Sequence, residues 1–378
     1  SSDLEHLIQE VRVPAILGFR TSKEVLDLAT SHFLPRKVAA IVATGSATTL
    51  RNIPHSPGEP RMVWRVTVAT DQATLPFAAV VERFLEPEIR AERGALKPGE
   101  LLRVAQLRQE SLAGQTTVDS RMTALRFNGR TVAENREAFR QIARAESFVA
   151  SDPTAVSANE RTAREVAAFR PHNLLDMPPN PALLEAIERL WPASAPFRPR
   201  YVTEGTWADL GPATFDLRRD KLYRRVFSID SRSGGAPIVR FALRYNELFS
   251  PRVTPATAPG SPYDAFYLFA YAAAAVGDRP LTGEAIARAI ARLQPPGEAI
   301  DVGPGNIYPA FLALSAGRNI DLRGAATSMD LDPETGDTAV DLALFCVAPG
   351  TPADPAHQVE SGLVWDGRAR ALAGTFRC

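Results

Sequence analysis

Short apolar runs and amphipathic runs alternate along this chain from residue 13 to residue 249, and this alternation is the strongest constraint on its fold. The apolar runs predict β-strands at Val13–Leu17, Val38–Val42, Met62–Val66, Leu101–Leu107, Asn173–Asp176, Arg200–Thr203 and Tyr223–Ser228. The amphipathic runs predict helices at Lys23–Ser31, Gln72–Arg93, Thr116–Phe127, Ala158–Ala168, Pro181–Leu190 and Ile238–Phe249. Strands that alternate with helices usually pair in parallel through right-handed crossovers, so we expect an α/β fold of doubly wound parallel sheets.

The last third of the chain changes from helical to β-rich patterns. The helices predicted there are Tyr263–Ala275, Gly283–Leu293 and Asn306–Ser315. The runs that follow predict hairpin strands at Ser328–Asp332, Thr338–Val347, Gly362–Trp365 and Ala369–Phe376. An acidic stretch in this tail comprises Asp330, Asp332, Glu334 and Asp337. Because it lacks the ligand spacing and the bidentate Glu of an EF-hand, we interpret it as a hairpin turn.

The chain is long enough for two domains, and breaks in composition suggest where two lobes meet. At 378 residues it exceeds what one hydrophobic core usually supports. Residues 94–99, 250–262 and 319–324 separate segments of different character. We therefore expect one lobe of residues 1–98 and 256–322, and a second lobe of residues 99–255 and 323–378.

Charge and composition narrow the classes of partner and cofactor. The chain has 43 basic and 43 acidic residues, so neither nucleic acid nor an anionic membrane is favoured as a partner. No apolar stretch approaches the roughly 20 residues that span a bilayer. No GxGxxG or P-loop motif is present, and the histidines are dispersed. We therefore expect no nucleotide cofactor and no zinc site.

The two cysteines, Cys346 and Cys378, both lie in predicted strands near the C-terminus. Neighbouring antiparallel strands could bring them within bridging distance, whereas the alternative is a buried thiol and a frayed terminal one. A disulfide is the favoured interpretation, and it would indicate an oxidising compartment.

Two strand ends carry hydroxyl side chains next to glycine. The first predicted strand runs into Gly18–Ser22 and the second runs into Gly45–Thr49. At a helix start, backbone N–H groups lack partners and the helix dipole adds positive potential, which suits a carboxylate or a phosphate. Because neighbouring parallel strands end at one sheet edge, we expect the two clusters to lie side by side and hold a small anionic or zwitterionic ligand. The alternatives are a helix cap for Ser22 and a turn for Ser46 and Thr48.

The order of these elements, together with several motifs, resembles the type I periplasmic binding proteins, in particular the branch that binds branched-chain amino acids. The matching stretches are PAILGFRTS at 14–22, VATGSATTL at 42–50, WRVTVATDQ at 64–72, YVTEG at 201–205, PYDAFYLFAYAAAAVG at 262–277, LTGEAIARAI at 281–290 and DLRGAATSMDLDPETGD at 321–337. The resemblance implies two α/β lobes joined by three strands and a ligand enclosed between them by hinge closure. It also implies an ABC-type permease as partner, a periplasmic or other extracytoplasmic location with or without a lipid anchor, and no cofactor.

The resemblance assigns ligand groups to individual positions. The candidate ligand-binding residues are Ser22, Ser46, Ala47, Thr48, Asp71 and Glu204. By this resemblance Ser22, Ala47 and Thr48 bind the ligand carboxylate. Glu204 matches the residue that binds the ammonium group, and Asp71 represents an acidic group ahead of the next helix. The residues alone leave open a first-turn acid for Asp71 and a solvated loop carboxylate for Glu204.

The sequence departs from the family pattern in three places. Ala113 stands where a Tyr usually closes over the ligand, and the segment 176–180 lacks the usual pocket residues. The chain also begins within the helix that precedes the second or third strand of the first lobe. The family's opening βα units are therefore expected to lie outside this sequence.

Binding without catalysis is the expected function: capture of an amino acid or a related carboxylate for an ABC-type permease. The alternative is a ligand-sensing ectodomain or lipoprotein of the same fold without transport. An enzyme would have to use Ser111, which follows a predicted strand as a nucleophile elbow would. Because Gln109 and Ala113 occupy the glycine positions of that motif, a serine hydrolase is not expected.

Overall fold

The computed structural model describes the chain except residues 1, 111, 145–152, 177–179, 206, 208–216, 233–234, 256, 350–355 and 368. The strands are β1 (Ala15–Gly18), β2 (Ala39–Val42), β3 (Val63–Arg65), β4 (Val104–Gln109), β5 (Arg126–Phe127), β6 (Arg130–Thr131), β7 (Phe139–Arg144), β8 (Asn173–Asp176), β9 (Arg200–Glu204), β10 (Val226–Ser231), β11 (Glu298–Asp301), β12 (Ile320–Arg323), β13 (Leu342–Ala348), β14 (His357–Asp366) and β15 (Ala371–Gly374). The helices are α1 (Ser2–His6), α2 (Ser22–Leu28), α3 (Leu34–Arg36), α4 (Thr74–Val80), α5 (Glu86–Ala91), α6 (Leu112–Ala124), α7 (Pro153–Phe169), α8 (Pro181–Leu190), α9 (Ala236–Leu248), α10 (Gly260–Val276), α11 (Gly283–Ala289) and α12 (Ile307–Ser315). Short π-helical or 3-10 segments lie at Leu7–Val11, Ala29–Phe33, Thr48–Asn52, Val81–Leu85, Arg219–Arg224, Ile290–Leu293 and Pro304–Asn306.

The chain forms two compact units, each assembled from discontinuous segments. Unit 1 comprises Ser1–Ala69 and Ser231–Asp341, and unit 2 comprises Thr70–Asp230 and Leu342–Cys378. The chain therefore crosses from one unit to the other after Ala69, Asp230 and Asp341. The sequence-based lobe boundaries lie elsewhere, at 98/99, 255/256 and 322/323.

Packing accounts for the positions of the first two crossings. Phe84, between α4 and α5, packs edge-on against Phe227 of β10, with ring centroids 6.1 Å apart, so this helical segment belongs to unit 2. Phe241 of α9 stacks on Tyr263 of α10, with centroids 4.4 Å apart, so α9 belongs to unit 1. The composition of the sequence indicates where loops lie. Which hydrophobic core a helix packs against depends on contacts between residues far apart in sequence, such as these ring contacts.

Unit 1 is built on a three-stranded parallel sheet in the order β1-β2-β3. The register places Gly18 opposite Val42, so β1 and β2 end at the same level. Leu268 of α10 and Ile286 of α11 are fully buried in the core beside this sheet. A separate pair of parallel strands, β11 and β12, is connected through α12.

The loop after β12 is fixed to α10 by one buried carboxylate. Asp264 accepts hydrogen bonds from the backbone N–H groups of Ala325 and Ala326, at 2.6 and 2.8 Å. A Cβ atom on Gly324 would lie 2.4 Å from Oδ2 of Asp264, so only glycine allows this close approach. These contacts explain why residues 323–341 belong to unit 1, although the sequence places them in the second lobe.

Unit 2 is built on an eight-stranded sheet in the order β15-β14-β13-β10-β9-β8-β4-β7. The strands from β10 to β7 run parallel to their neighbours, whereas β13, β14 and β15 form an antiparallel meander. Leu107, Leu175 and Val202 lie in its interior. The C-terminal strands therefore extend a parallel α/β sheet, which agrees with the change in pattern near the C-terminus.

The predicted α/β class with parallel sheets is confirmed, and β8 and α8 have the predicted bounds. The predicted strand at Ser328–Asp332 is wrong: this segment makes a single bridge, between Leu331 and Thr338. Strands β7, β11 and β12 were not predicted. In β7 only Ile142 and Arg144 are buried, and a buried arginine hides the apolar alternation that marks a strand.

Cys346 and Cys378 form a disulfide in the structure, with their Cα atoms 6.2 Å apart. Cys346 lies in β13, and Cys378 follows β15 at the end of the chain. Strand β14 lies between β13 and β15, so the bond ties the C-terminal segment back across the meander.

Candidate functional site

The two hydroxyl clusters meet at the carboxyl end of the unit 1 sheet. The backbone N–H of Ala47 donates a hydrogen bond to Oγ of Ser22, at 3.0 Å. The hydroxyl of Thr44 donates to the carbonyl oxygen of Phe19. These contacts join the segments that follow β1 and β2, because the two parallel strands end at the same level.

Ser22 is the first residue of α2 and is not its cap. The cap is Thr21, whose Oγ1 accepts a hydrogen bond from the N–H of Glu24 at 3.2 Å. Ser22 itself is only 6% exposed. The cap interpretation of Ser22 is therefore wrong, and its hydroxyl is available for another role.

Gly45 lies beside the Ser22 hydroxyl and is packed against apolar side chains. A Cβ atom at position 45 would lie 2.9 Å from Cγ1 of Val42, 3.2 Å from Cδ1 of Leu50 and 3.4 Å from Oγ of Ser22. Ala47 is buried, whereas Ser46 and Thr48 are half-buried, and Thr48 begins a 3-10 turn. The structure thus brings four of the predicted residues together, with Ser22 and Ala47 in direct contact.

A cluster of ion pairs, which includes Arg65 of β3, contacts the loop that follows β2. Nη1 of Arg65 donates to the carbonyl oxygen of Ala47 at 2.8 Å, and Nε donates to Oδ1 of Asp337 at 2.9 Å. Nη2 of Arg51 donates to the other oxygen, Oδ2, at 2.6 Å. The sequence analysis assigned Asp337 only to a hairpin turn. That turn exists, with Asp332 accepting the N–H of Glu334 at 2.7 Å, but Asp337 is also the anion of the cluster.

In unit 2 the predicted residue Glu204 ends β9 and forms an ion pair. Nη2 of Arg121 donates to Oε2 of Glu204 at 2.9 Å, and Nη1 donates to Oε1 of Gln106 at 3.1 Å. The guanidinium carbon of Arg121 lies 3.7 Å from the centroid of the Phe77 ring. Glu204 is therefore a partner of a buried cation, and the interpretation as a solvated loop carboxylate is wrong.

Burial governs the protonation of this pair. Desolvation, together with the charges of Asp230 and Asp71, raises the pKa of Glu204 to about 7, against the lowering effect of Arg121. Desolvation also lowers the pKa of Arg121. Asp71 lies half-buried in the turn that precedes α4, within electrostatic range of Glu204. The predicted residues Asp71 and Glu204 thus lie within electrostatic range of each other, as do Glu204 and Asp230.

A second buried ion pair lies in the same sheet. Nε of Arg144, at the end of β7, donates to Oδ1 of Asp176, at the end of β8, at 2.6 Å. The Arg144 side chain is 0% exposed. The sequence analysis did not identify this pair, although an Arg at an otherwise apolar strand position is a signal for a buried partner.

Some predictions fall outside the described residues, or on positions whose side chains are not described. Ser111 and the central part of the segment 176–180 are among the former, and the side chain of Ala113 is among the latter. Within the described ranges, no group of three or more His, Cys, Asp or Glu side chains is arranged to hold a metal ion. No helix in the same ranges is long and apolar enough to cross a membrane.

Comparison with known proteins identifies the fold. No family model matches the chain, and no curated protein matches it. The matching solved structures include a solute-binding protein of an ABC transporter from Rhodopseudomonas palustris BisB5 in complex with 3,4-dihydroxybenzoic acid. That match has 13% identity and a TM-score of 0.61, and it covers 96% of this chain and 81% of the other.

Two further solved structures are amino-acid-binding relatives of that fold. The leucine-binding protein LivK of Thermotoga maritima MSB8 is 14% identical, with a TM-score of 0.57 and coverage of 95% of this chain and 82% of the other. A branched-chain amino-acid ABC transporter protein of Thermus thermophilus with bound valine is 14% identical, with a TM-score of 0.55 and coverage of 95% and 80%. The chain therefore has the type I periplasmic binding protein fold, and its structural neighbours are solute-binding proteins of the Leu/Ile/Val-binding type.

Proposed function

We propose that this chain is an extracytoplasmic solute-binding protein that captures a small carboxylate-bearing molecule for an ABC-type permease. The observation that carries the proposal is the buried Ser22 hydroxyl at the carboxyl end of the unit 1 sheet. Its oxygen accepts the N–H of Ala47, at 3.0 Å. Its own hydrogen remains to be donated, and a carboxylate is a strong acceptor for it.

An amino acid is the ligand class that we propose first. Glu204 lies within electrostatic range of Asp71 and Asp230, whose charges raise its pKa, and it forms an ion pair with Arg121. A cationic group beside Glu204 would offset the repulsion between these carboxylates, as the ammonium group of an amino acid does. The role of Glu204 toward an ammonium group, taken from the family resemblance, is part of this proposal.

Aromatic carboxylates form the second candidate class. One solved neighbour contains 3,4-dihydroxybenzoic acid and another contains benzoate. These molecules share the carboxylate of the amino acids but carry no ammonium group. The carboxylate contact at Ser22 therefore serves both classes, and the region around Glu204 would distinguish them.

The disulfide between Cys346 and Cys378 supports an extracytoplasmic location, because disulfides persist in oxidising compartments. A sensing ectodomain of the same fold would bind the same ligand without delivering it. Uptake of the bound solute by cells that hold the cognate permease, and its loss when this chain is deleted, distinguishes transport from sensing.

A thermal-shift screen of the proteinogenic amino acids and of hydroxylated benzoates, followed by calorimetry on each hit, tests the proposal. Ser22→Ala should weaken binding about ten- to a hundredfold, because it removes a hydrogen bond to a charged group. Ser315→Ala is the matched control, since Ser315 is an exposed serine at the end of α12 in the same unit. The proposal fails if no carboxylate binds, or if the affinity of every hit survives Ser22→Ala.

A further inference from the structure

A continuous chain of hydrogen bonds links Asp337 to the Ser22 hydroxyl within unit 1. Asp337 accepts from Nε of Arg65 at 2.9 Å, and Nη1 of Arg65 donates to the carbonyl oxygen of Ala47 at 2.8 Å. The N–H of the same Ala47 donates to Oγ of Ser22 at 3.0 Å. Both polar backbone groups of Ala47 are therefore engaged, one by Arg65 and one by Ser22.

Burial fixes the partners in this series of hydrogen bonds. The side chains of Arg65 and Asp337 are 3% and 8% exposed, so neither charge can exchange its partner for bulk water. The planar guanidinium of Arg65 donates to Asp337 through Nε and Nη2, and it donates to the carbonyl oxygen of Ala47 through Nη1. A lysine has a single ammonium group and cannot reproduce both contacts in one geometry.

Arg61 has a different role, although it contacts the same acidic hairpin. It donates to the carbonyl oxygens of Val63, Leu50 and Glu334, at 2.9, 3.0 and 2.8 Å. Its hydrogen bonds go to these residues and to Ile53, and none of them goes to the segment 45–47. Arg61 therefore fastens the hairpin to the sheet, whereas Arg65 holds the residue that contacts Ser22.

We propose that Arg65 and Asp337 are positioning residues for carboxylate recognition, which hold Ala47 so that its N–H orients the Ser22 hydroxyl toward the ligand. This inference rests on the proposed function for the identity of the ligand group. The contact between Arg65 and Ala47 is made by protein atoms alone, so it can also be tested in the free protein.

The first test is amide hydrogen exchange of the ligand-free protein. Arg65→Lys keeps the positive charge beside Asp337 but removes the fork that reaches Ala47, so exchange at the Ala47 amide should accelerate about tenfold or more. Asp337→Asn should do the same, because it removes the charge that holds Arg65. Arg318→Lys, at an exposed arginine of unit 1 that pairs with Glu298, is the control and should leave the Ala47 amide unchanged. Unchanged exchange at Ala47 in a folded Arg65→Lys variant would overturn the proposal.

The second test is a double-mutant cycle on binding, with L-leucine, L-valine and 4-hydroxybenzoate as probes. Asp337→Asn alone should weaken binding several-fold, but it should add no further loss in a Ser22→Ala background. Losses that simply add would mean that Asp337 does not act through Ser22, and the inference would be rejected. If the wild-type chain binds none of the probes or other carboxylates, the proposed function fails, while hydrogen exchange at Ala47 still decides the positioning role.

Discussion

Arg121 and Glu204 form an ion pair in which the carboxylate ends a central strand and the guanidinium is 3% exposed. The side chains of both partners are largely shielded from solvent. Arg121 is also held by Gln106 and lies over the face of Phe77. Removing two charges from water opposes their mutual attraction, and this desolvation is the main reason that the pKa of Glu204 is raised.

The raised pKa of Glu204 makes stability depend on pH. Its pKa is about 7 in the folded chain, above the ordinary value of 4.5, so the folded state binds this proton more tightly between pH 4.5 and 7. The free energy of unfolding should therefore fall as pH rises through this window, by about 1–3 kcal/mol from Glu204. Urea unfolding at pH 5 and pH 7.5 measures the difference.

Glu204→Gln should reduce that difference, because glutamine does not titrate. Asp264 in unit 1 also has a pKa raised by burial to about 7, so part of the pH dependence will remain in the variant. Glu10→Gln, at an exposed carboxyl, is the control. An unchanged pH dependence in Glu204→Gln would show that Glu204 stays ionised across the window.

Local pattern was sufficient to predict the fold class but not every strand. A buried strand with apolar residues throughout, such as β8, is marked by its sequence alone. Strand β7 carries Arg144 at a buried position, and the carboxylate of Asp176 on the next strand but one compensates its charge. The sequence pattern cannot indicate which distant carboxylate will supply that compensation.

The same distinction holds for the candidate site. The contact between Ser22 and Ala47 follows from two consecutive parallel strands that end together, so it could be predicted from the motif order. The contact between Arg65 and Asp337 joins residues that are 272 positions apart. The position of Arg65 in an otherwise apolar strand indicates a buried partner, but nothing local indicates that this partner is Asp337.

The buried pair of Arg144 and Asp176 should be strongly non-additive. Arg144→Met removes the buried cation that pairs with Asp176 and should lower the free energy of unfolding by about 3–5 kcal/mol. The double variant Arg144→Met with Asp176→Leu should recover most of that loss, because neither charge then remains. Chemical denaturation of both variants measures the effect.

The exposed pair of Arg189 and Glu160 provides the comparison for that measurement. Its arginine side chain is 56% exposed, so Arg189→Met should cost less than about 1 kcal/mol. Equal losses in Arg144→Met and in its double variant would contradict the expected coupling.

The disulfide should stabilise the C-terminal meander mainly through the unfolded state. It closes a loop between positions 32 apart, for which chain entropy predicts about 3–4 kcal/mol. Cys378→Ser should therefore lower the unfolding free energy by about that amount under oxidising conditions. Under reducing conditions the wild-type chain and the variant should unfold at similar urea concentrations, and a persistent difference would assign the effect to packing at Cys378.

Gly45→Ala should impair ligand binding by displacing the loop that contacts the Ser22 hydroxyl. The added methyl would lie 2.9 Å from Cγ1 of Val42 and 3.2 Å from Cδ1 of Leu50, so these side chains or the loop must move. Val42 is fully buried in β2 and resists displacement, so we expect the loop and the hydroxyl to shift. Affinity for a carboxylate hit should fall at least about tenfold, because misplacing a hydrogen-bond donor loses most of its contribution. Gly305→Ala is the matched control, since a Cβ atom there meets no heavy atom within 4 Å, and equal affinity in the two variants would remove Gly45 from the site.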